Sequence, residues 1–340
     1  MIKISACLKS ALFVVAAILS FAAAAQDKQI DLRLSIWVPA KHPVTISIQQ
    51  WADDIKKASN GTIAPTVFAS EQLGKAFDHY DMARDGIADF TLVNPGYTPG
   101  RFPIIGAGEL PFLFASGKSG SEALDAWYRQ YVATEMKDVH FCLAFMHDPG
   151  TFYSKKKIMV PGDVRGLKVR PGNGTIARFV TLLGGNNVQG SAPEARDMLE
   201  RGVADALTLG GGTLMMFGID KVIKYQLDVP LYASNFVWIM NKAKYESMSA
   251  AQKKVIDDHC TTEWALKVAT PFADFEGGGH NKLRASLGSQ KPTPDQIAAW
   301  RKAAEPLQVQ WADSVRKQGG NPDAIFSSLK QSMVKYKAAF

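Results

Sequence analysis

The sequence predicts an α/β protein of two lobes, and three observations carry that prediction. Strand and helix patterns alternate from Asp31 onward, and the alternation restarts after His147-Asp148-Pro149-Gly150. The chain, at 340 residues, also exceeds what one compact core usually holds, which favours two domains with a groove between them.

Asp31–Trp37 alternates as a strand and ends at Pro39, and Val44–Ser59 carries Ile48, Trp51 and Ile55 at helical spacing before stopping at Asn60-Gly61. Thr62–Phe68 reads as a second strand, Leu73–Arg84 as a second helix and Ala88–Val93 as a third strand. This βαβαβ run implies a parallel sheet with ligands at the carboxyl ends of its strands. A loop rich in Pro and Gly (Asn94–Pro103) precedes a helix near Ser119–Met136 and an apolar stretch, Val139–Met146. The second run offers a strand near Phe152, the segment Gly166–Arg170, helices near Thr175–Leu183 and Ala192–Arg201, and a strand Ala204–Leu209. Strands around Val222–Val229 and Phe236–Met240 then lead into a tail that reads as helix: Ala250–Leu287, Pro294–Lys317 and Pro322–Ala339.

The start of the chain has a different character. Lys3 and Lys9 precede an uncharged run, Ser10–Ala25, that ends in small residues, the pattern of a secretory signal peptide cut after Ala25. The run is short of the roughly 20 strongly apolar residues that a membrane span needs. The remaining 315 residues are therefore expected outside the cytoplasm, and Cys7 lies before the apolar run, where no lipid anchor would be attached.

With 46% hydrophobic and 21% charged residues the composition is that of a soluble globular protein. Removing Lys3 and Lys9 lowers the formal net charge from +7 to +5. Apart from Lys155-Lys156-Lys157 the basic residues are scattered singly among acidic ones, with no basic stripe interleaved with aromatic residues, so nucleic acid is not an expected partner. The mild positive excess suits a protein that collects anions. Two cysteines remain after processing: Cys142 in an apolar strand-like run and Cys260 in a helical one. A disulfide and two buried thiols are both open to them.

Catalytic and cofactor motifs are missing. The six histidines show no metal spacing, and the sequence has no Gly-x-Ser-x-Gly elbow, no phosphate-binding loop and no Gly-x-Gly-x-x-Gly after the first strand. Asp53-Asp54 and Asp257-Asp258 read as solvated helix faces, and Gly277-Gly278-Gly279 as a kink or close packing point. No cofactor or metal is expected. What remains is binding machinery. Arg170 closes a strand-like segment and is stopped by Pro171, leaving a guanidinium fork at a strand's carboxyl end, where it matches the two oxygens of a carboxylate. An ion pair between lobes is the alternative role for it.

Seven elements in order carry a family resemblance: Asn60-Gly61-Thr62, Gln72-Leu73-Gly74, Asp85-Gly86-Ile87-Ala88-Asp89, Tyr97-Thr98-Pro99-Gly100-Arg101-Phe102-Pro103, Glu109-Leu110-Pro111-Phe112, Asp163 through Arg170, and Gly202-Val203-Ala204-Asp205. Together they resemble the periplasmic solute-binding proteins of TRAP (tripartite ATP-independent periplasmic) transporters, of the DctP dicarboxylate-binding type. The resemblance covers nearly the whole mature chain. It implies a clamshell with discontinuous lobes, a long helix between them and a helical tail: 26–147 with 235–275 as one lobe, 148–234 with 276–340 as the other. It places the protein in the periplasm as a monomeric receptor that closes on a small organic carboxylate and delivers it to the transporter's membrane subunits. A receptor for an ATP-driven importer or a signalling partner, and a secreted two-lobed enzyme, are the rival readings.

Carried over position by position, the resemblance assigns Arg170 to the ligand carboxylate. Trp37, Asn94, Tyr97, Phe152, Asn173, Ala192, Thr208, Gly210 and Gly211 are then expected to line the cleft. The sequence departs from the pattern after Asp205, where Ala206 follows and the cleft-facing turn becomes Gly210-Gly211-Gly212-Thr213. Those glycines, small Ala192 and the flat faces of Trp37, Tyr97 and Phe152 suggest a roomy, weakly polar far end, suited to a monocarboxylate with an aromatic or apolar body. A sialic-acid-like ligand is disfavoured by Trp37 and Tyr97. A C4-dicarboxylate stays open, with Lys75 as one partner for a second carboxylate.

Overall fold

The structure, a computed structural model, describes residues 27–340; the expected signal peptide, 1–25, lies outside the described residues. Two sheets organise it. The first has the order β2-β1-β3-β10-β4, built from β1 (Ile30–Ser35), β2 (Ile63–Phe68), β3 (Phe90–Val93), β4 (Val139–Met146) and β10 (Asn235–Asn241). As the βαβαβ pattern requires, β1 pairs parallel with both β2 and β3, while β10 returns antiparallel between β3 and β4. The second has the order β11-β9-β5-β8-β6-β7, from β5 (Thr151–Ser154), β6 (Lys168–Arg170), β7 (Asn186–Asn187), β8 (Ala206–Leu209), β9 (Tyr225–Leu227) and β11 (Gly288–Gln290). Each sheet anchors one lobe of a two-lobe α/β fold, and the chain crosses between them at 147–150 and 228–234.

The Thr262–Ser286 helix is the third crossing. It packs against the Pro43–Ala58 and Gly117–Tyr128 helices of the first lobe and against the Gly211–Met216 helix and β11 of the second. Of the tail helices, Pro294–Lys317 lies on the second lobe through Trp300, whose ring centroid is 5.6 Å from that of Phe152. Pro322–Lys335 reaches back to the first: Trp127 Nε1 donates to Ser328 Oγ at 3.0 Å, and Ser332 Oγ to the Ala123 carbonyl at 2.8 Å. The tail thus touches both lobes.

Three helices depart from the sequence expectation. The one expected near Ser119–Met136 breaks at a turn into Gly117–Tyr128 and Val132–Glu135. The segment 250–287 is not one helix but two, Ala250–Asp258 and Thr262–Ser286, because Cys260 is drawn into a disulfide with Cys142 of β4 and Thr261 starts the second helix by capping Trp264 N–H. Of the two arrangements open to the cysteines from sequence, the structure has the bridge, with Cα atoms 4.4 Å apart. The expected Leu73–Arg84 helix shortens to a 3-10 turn, Ala76–Asp78, followed by His79–Arg84. The reason is Glu71, whose carboxylate accepts Ala76 N–H at 2.9 Å and holds the preceding residues as a turn.

Candidate functional site

A partly open cavity lies between the sheets. It sits where parallel strands end: Trp37 and Asn94 follow β1 and β3 in the first lobe, and Arg170 and Gly210 close or follow β6 and β8 in the second. Five rings dominate its wall, Trp37, Tyr97, Tyr232, Phe236 and Phe272; the first two and last two form one packed chain, with Trp37–Tyr97 centroids at 5.9 Å, Trp37–Phe236 at 6.2 Å and Phe236–Phe272 at 5.8 Å, while Tyr232 packs edge-on against His147 at 5.5 Å. Trp37 Nε1 donates to the Leu92 carbonyl at 3.0 Å, so its indole presents only apolar surface to the cavity.

Arg170 is the one unambiguous cation of the wall among the described residues, and it is 1% exposed. Its Nε donates to the Gly190 carbonyl at 2.9 Å, Nη1 to the Thr208 carbonyl at 3.3 Å, and Nη2 to Tyr97 Oη at 3.0 Å. A guanidinium has five N–H groups, so one on each terminal nitrogen is uncommitted. No carboxylate among the described residues lies within salt-bridge distance, so the interlobe ion pair is not formed. A buried cation without a counter-charge is costly, and an entering anion relieves that cost.

The polar groups around it are ordered. Tyr97 Oη accepts from both Arg170 and Ala192 N–H, each at 3.0 Å. Tyr232 Oη, also buried, has no hydrogen-bond partner among the described residues. His147 accepts Ser234 N–H on Nε2 at 2.9 Å and donates from Nδ1 to the Asp148 carbonyl, joining two of the crossings. Burial pushes His147 down to about 4 and His42 down to about 3, so both rings are neutral at ordinary pH. Glu276 closes another part of the wall, its carboxyl pushed up to about 7 by burial against the opposing hydrogen bonds from Thr213 and Gly212.

Of the residues expected from sequence, Arg170, Trp37, Asn94, Tyr97, Ala192 and Gly210 converge on this cavity. Four others stand behind it or elsewhere. Thr208 supports Arg170 through its carbonyl and Gly172 N–H through its hydroxyl, at 2.8 Å. Asn173 caps the Gly174–Leu182 helix by accepting Ile176 N–H at 2.8 Å and donates to Ser234 Oγ. Phe152 faces Trp300 on the opposite side of the second sheet. Gly211 packs on the long helix, where an added Cβ would lie 2.3 Å from His280 N. Gly210–Gly212 therefore do not enlarge the cavity as expected; the absent side chains make way for Glu276, His280 and Phe275. Lys75, offered for a second carboxylate, is exposed and paired with Glu71 at 2.8 Å, outside the cavity wall.

His42, Thr213, Tyr232, Phe236, Phe272 and Glu276 were not anticipated. The signal for Phe272 and Glu276 was their i,i+4 spacing on one helix face close to Gly279; with Asp274 two residues earlier, a Glu there reads as solvated until its neighbours are known.

The family described as bacterial extracellular solute-binding protein, family 7 (DctP), matches residues 34–314. A solute-binding protein of Chromohalobacter salexigens is 24% identical over 171 residues, 49% of this chain and 51% of the relative, so that match spans about half of each. Among solved structures, a TRAP solute-binding protein from an unidentified marine microbe, specific for aromatic acid ligands and holding metahydroxyphenylacetate, superposes with a TM-score of 0.84 at 28% identity, covering 91% of this chain and 99% of that one. A TRAP periplasmic solute-binding protein of Bordetella bronchiseptica with bound (R)- and (S)-mandelate does so at 0.84 and 25% identity, covering 90% and 99%.

Proposed function

Because the chain belongs to family 7 of the bacterial extracellular solute-binding proteins, we propose that it is the periplasmic receptor of a TRAP transporter for a small monocarboxylate with an aromatic body. The carrying observation is Arg170: buried, unpaired, with two uncommitted N–H groups at the edge of an aromatic-walled cavity. A carboxylate takes the fork, and the ring system takes the body of the ligand. Two of the similar solved structures point the same way, since the marine protein is specific for aromatic acids and the Bordetella protein holds mandelate. A C4-dicarboxylate would call for a second cation, and among the described wall residues the titratable groups besides Arg170 are Glu276, Tyr97, Tyr232 and two neutral histidines, none of them a cation at ordinary pH.

The two lobes close on the ligand, and the closed form is the one handed to the membrane subunits, so affinity reports the difference in binding between open and closed states. The family binds solutes, and no bond-making step is assigned to these residues. Among the described residues no helix is long and apolar enough to cross a membrane. The test is calorimetry on processed protein freed of carried-over ligand by unfolding and refolding. Binding of benzoate, phenylacetate or mandelate without succinate or malate supports the reading; tight succinate or malate binding with no response to the aromatic acids overturns it.

A further inference from the structure

Glu276 reaches the cavity from the Thr262–Ser286 helix and is 2% exposed. Its surroundings fix the direction of every hydrogen bond it makes. His42 Nδ1 accepts Val44 N–H at 3.2 Å, which leaves the ring proton on Nε2 to donate to Thr213 Oγ1 at 3.1 Å. A hydroxyl has one hydrogen, and that of Thr213 is directed to Glu276 Oε1. Glu276 Oε2 accepts two backbone donors, Gly212 N–H at 2.7 Å and Thr213 N–H at 3.1 Å. Three protein donors therefore converge on a carboxylate with about four acceptor positions, leaving one on Oε1. No basic side chain pairs with Glu276 among the described residues.

Ionised above about pH 7, Glu276 is a buried carboxylate whose one open acceptor position attracts a donor and repels a second anion. The cavity thus has two unlike poles: Arg170 offers donors, Glu276 an acceptor. We infer that Glu276 is a specificity-determining residue, accepting a hydrogen bond from a hydroxyl carried on the aromatic body of the ligand and rejecting ligands with a second carboxylate. The preferred class is then a hydroxyl-bearing aryl monocarboxylate. This inference rests on Arg170 as the carboxylate anchor.

Glu276→Gln is a sharp probe, because the two backbone N–H groups facing Oε2 force the amide oxygen to that side. The amide NH2 is then placed at the Oε1 side, turning the open acceptor into a donor. The measurement is calorimetry at about pH 8, comparing the monohydroxylated benzoates and phenylacetates with benzoate and phenylacetate, and adding succinate. In the wild type at least one hydroxylated isomer should bind about tenfold or more tighter than its parent acid, as a hydrogen bond to a charged group implies. In the variant that ratio should collapse toward one, and succinate should gain affinity. Equal binding of hydroxylated and parent acids by the wild type overturns the inference while leaving the monocarboxylate reading intact; so does a uniform loss of all ligands in Glu276→Gln. If the wild type binds none of the aryl acids, the monocarboxylate reading itself has failed.

Discussion

Arg170 Nη2 and Ala192 N–H both donate to Tyr97 Oη, each at 3.0 Å, so the oxygen of Tyr97 is fully used as an acceptor and its hydrogen is left for the cavity. The phenol and the guanidinium form one donor set drawn from the two lobes. Arg170→Ala should abolish carboxylate binding in calorimetry while the circular dichroism spectrum is kept. Arg170→Lys should weaken it by more than about tenfold, because an ammonium cannot reproduce the fork. Unchanged affinity in Arg170→Ala would remove the anchor assignment.

Tyr97→Phe deletes one donor to the ligand and one acceptor for Arg170. The expected loss of carboxylate affinity is about 10- to 100-fold, the range of a hydrogen bond to a charged group. Aromatic bulk is preserved, so a titration showing the same affinity for benzoate as the wild type would contradict a contact with the ligand carboxylate.

The strand and helix order was legible because period-2 and period-3.6 patterns survive in each segment, as at Asp31–Trp37 and Val44–Ser59. The cavity was legible only in part. Trp37, the Asn94–Tyr97 turn, Arg170 and Ala192 come from well-separated segments, and nothing in local spacing brings them together; the resemblance to a family did. Phe152 was misplaced because a strand's alternation says that neighbours face opposite ways but not which face is the cleft. Gly210–Gly212 were misread for a related reason: a missing side chain marks close approach, and only the fold shows that the approaching partner is the long helix.

That close approach gives a stability prediction. A Cβ on Gly279 would lie 2.1 Å from Gly212 N and 2.4 Å from Gly211 C, both backbone atoms that cannot rotate away. Gly279→Ala should lower unfolding stability by about 1–3 kcal/mol or more in denaturant titration. Gly278→Ala, with nothing within 4 Å of the added carbon, should be neutral or slightly stabilising in the same helix.

Glu109 supplies a pH-dependent case. It is buried beside Thr175, whose hydroxyl donates to Oε2 at 3.2 Å, and burial pushes its carboxyl up to about 8 against the attraction of Arg178. The folded state therefore holds this proton more tightly than the unfolded state. Its contribution to stability is complete below about pH 4.5 and is lost as pH rises toward 8. The stability of the wild type minus that of Glu109→Gln should fall with rising pH, with a slope approaching about 1.4 kcal/mol per unit. A flat difference from pH 5 to 8 in denaturant titrations would contradict this.

Thiol titration of the denatured, unreduced mature protein should find neither Cys142 nor Cys260 free, and reduction should cost about 2–4 kcal/mol of stability. Two reactive thiols would exclude the bridge.

The bridge also constrains how the lobes can move. Cys142 lies on β4, just before the first crossing at 147–150, and Cys260 lies two residues before the Thr262–Ser286 helix. One covalent bond therefore clamps the roots of two of the three crossings to the same sheet. The long helix is thus tethered near its amino end to the first sheet, while it also packs on the Gly211–Met216 helix and β11 of the second lobe. Phe272 and Glu276, both of the cavity wall, sit on that helix one turn apart and past its tethered end, so under the proposed closure the width of the chamber would follow the angle between the lobes.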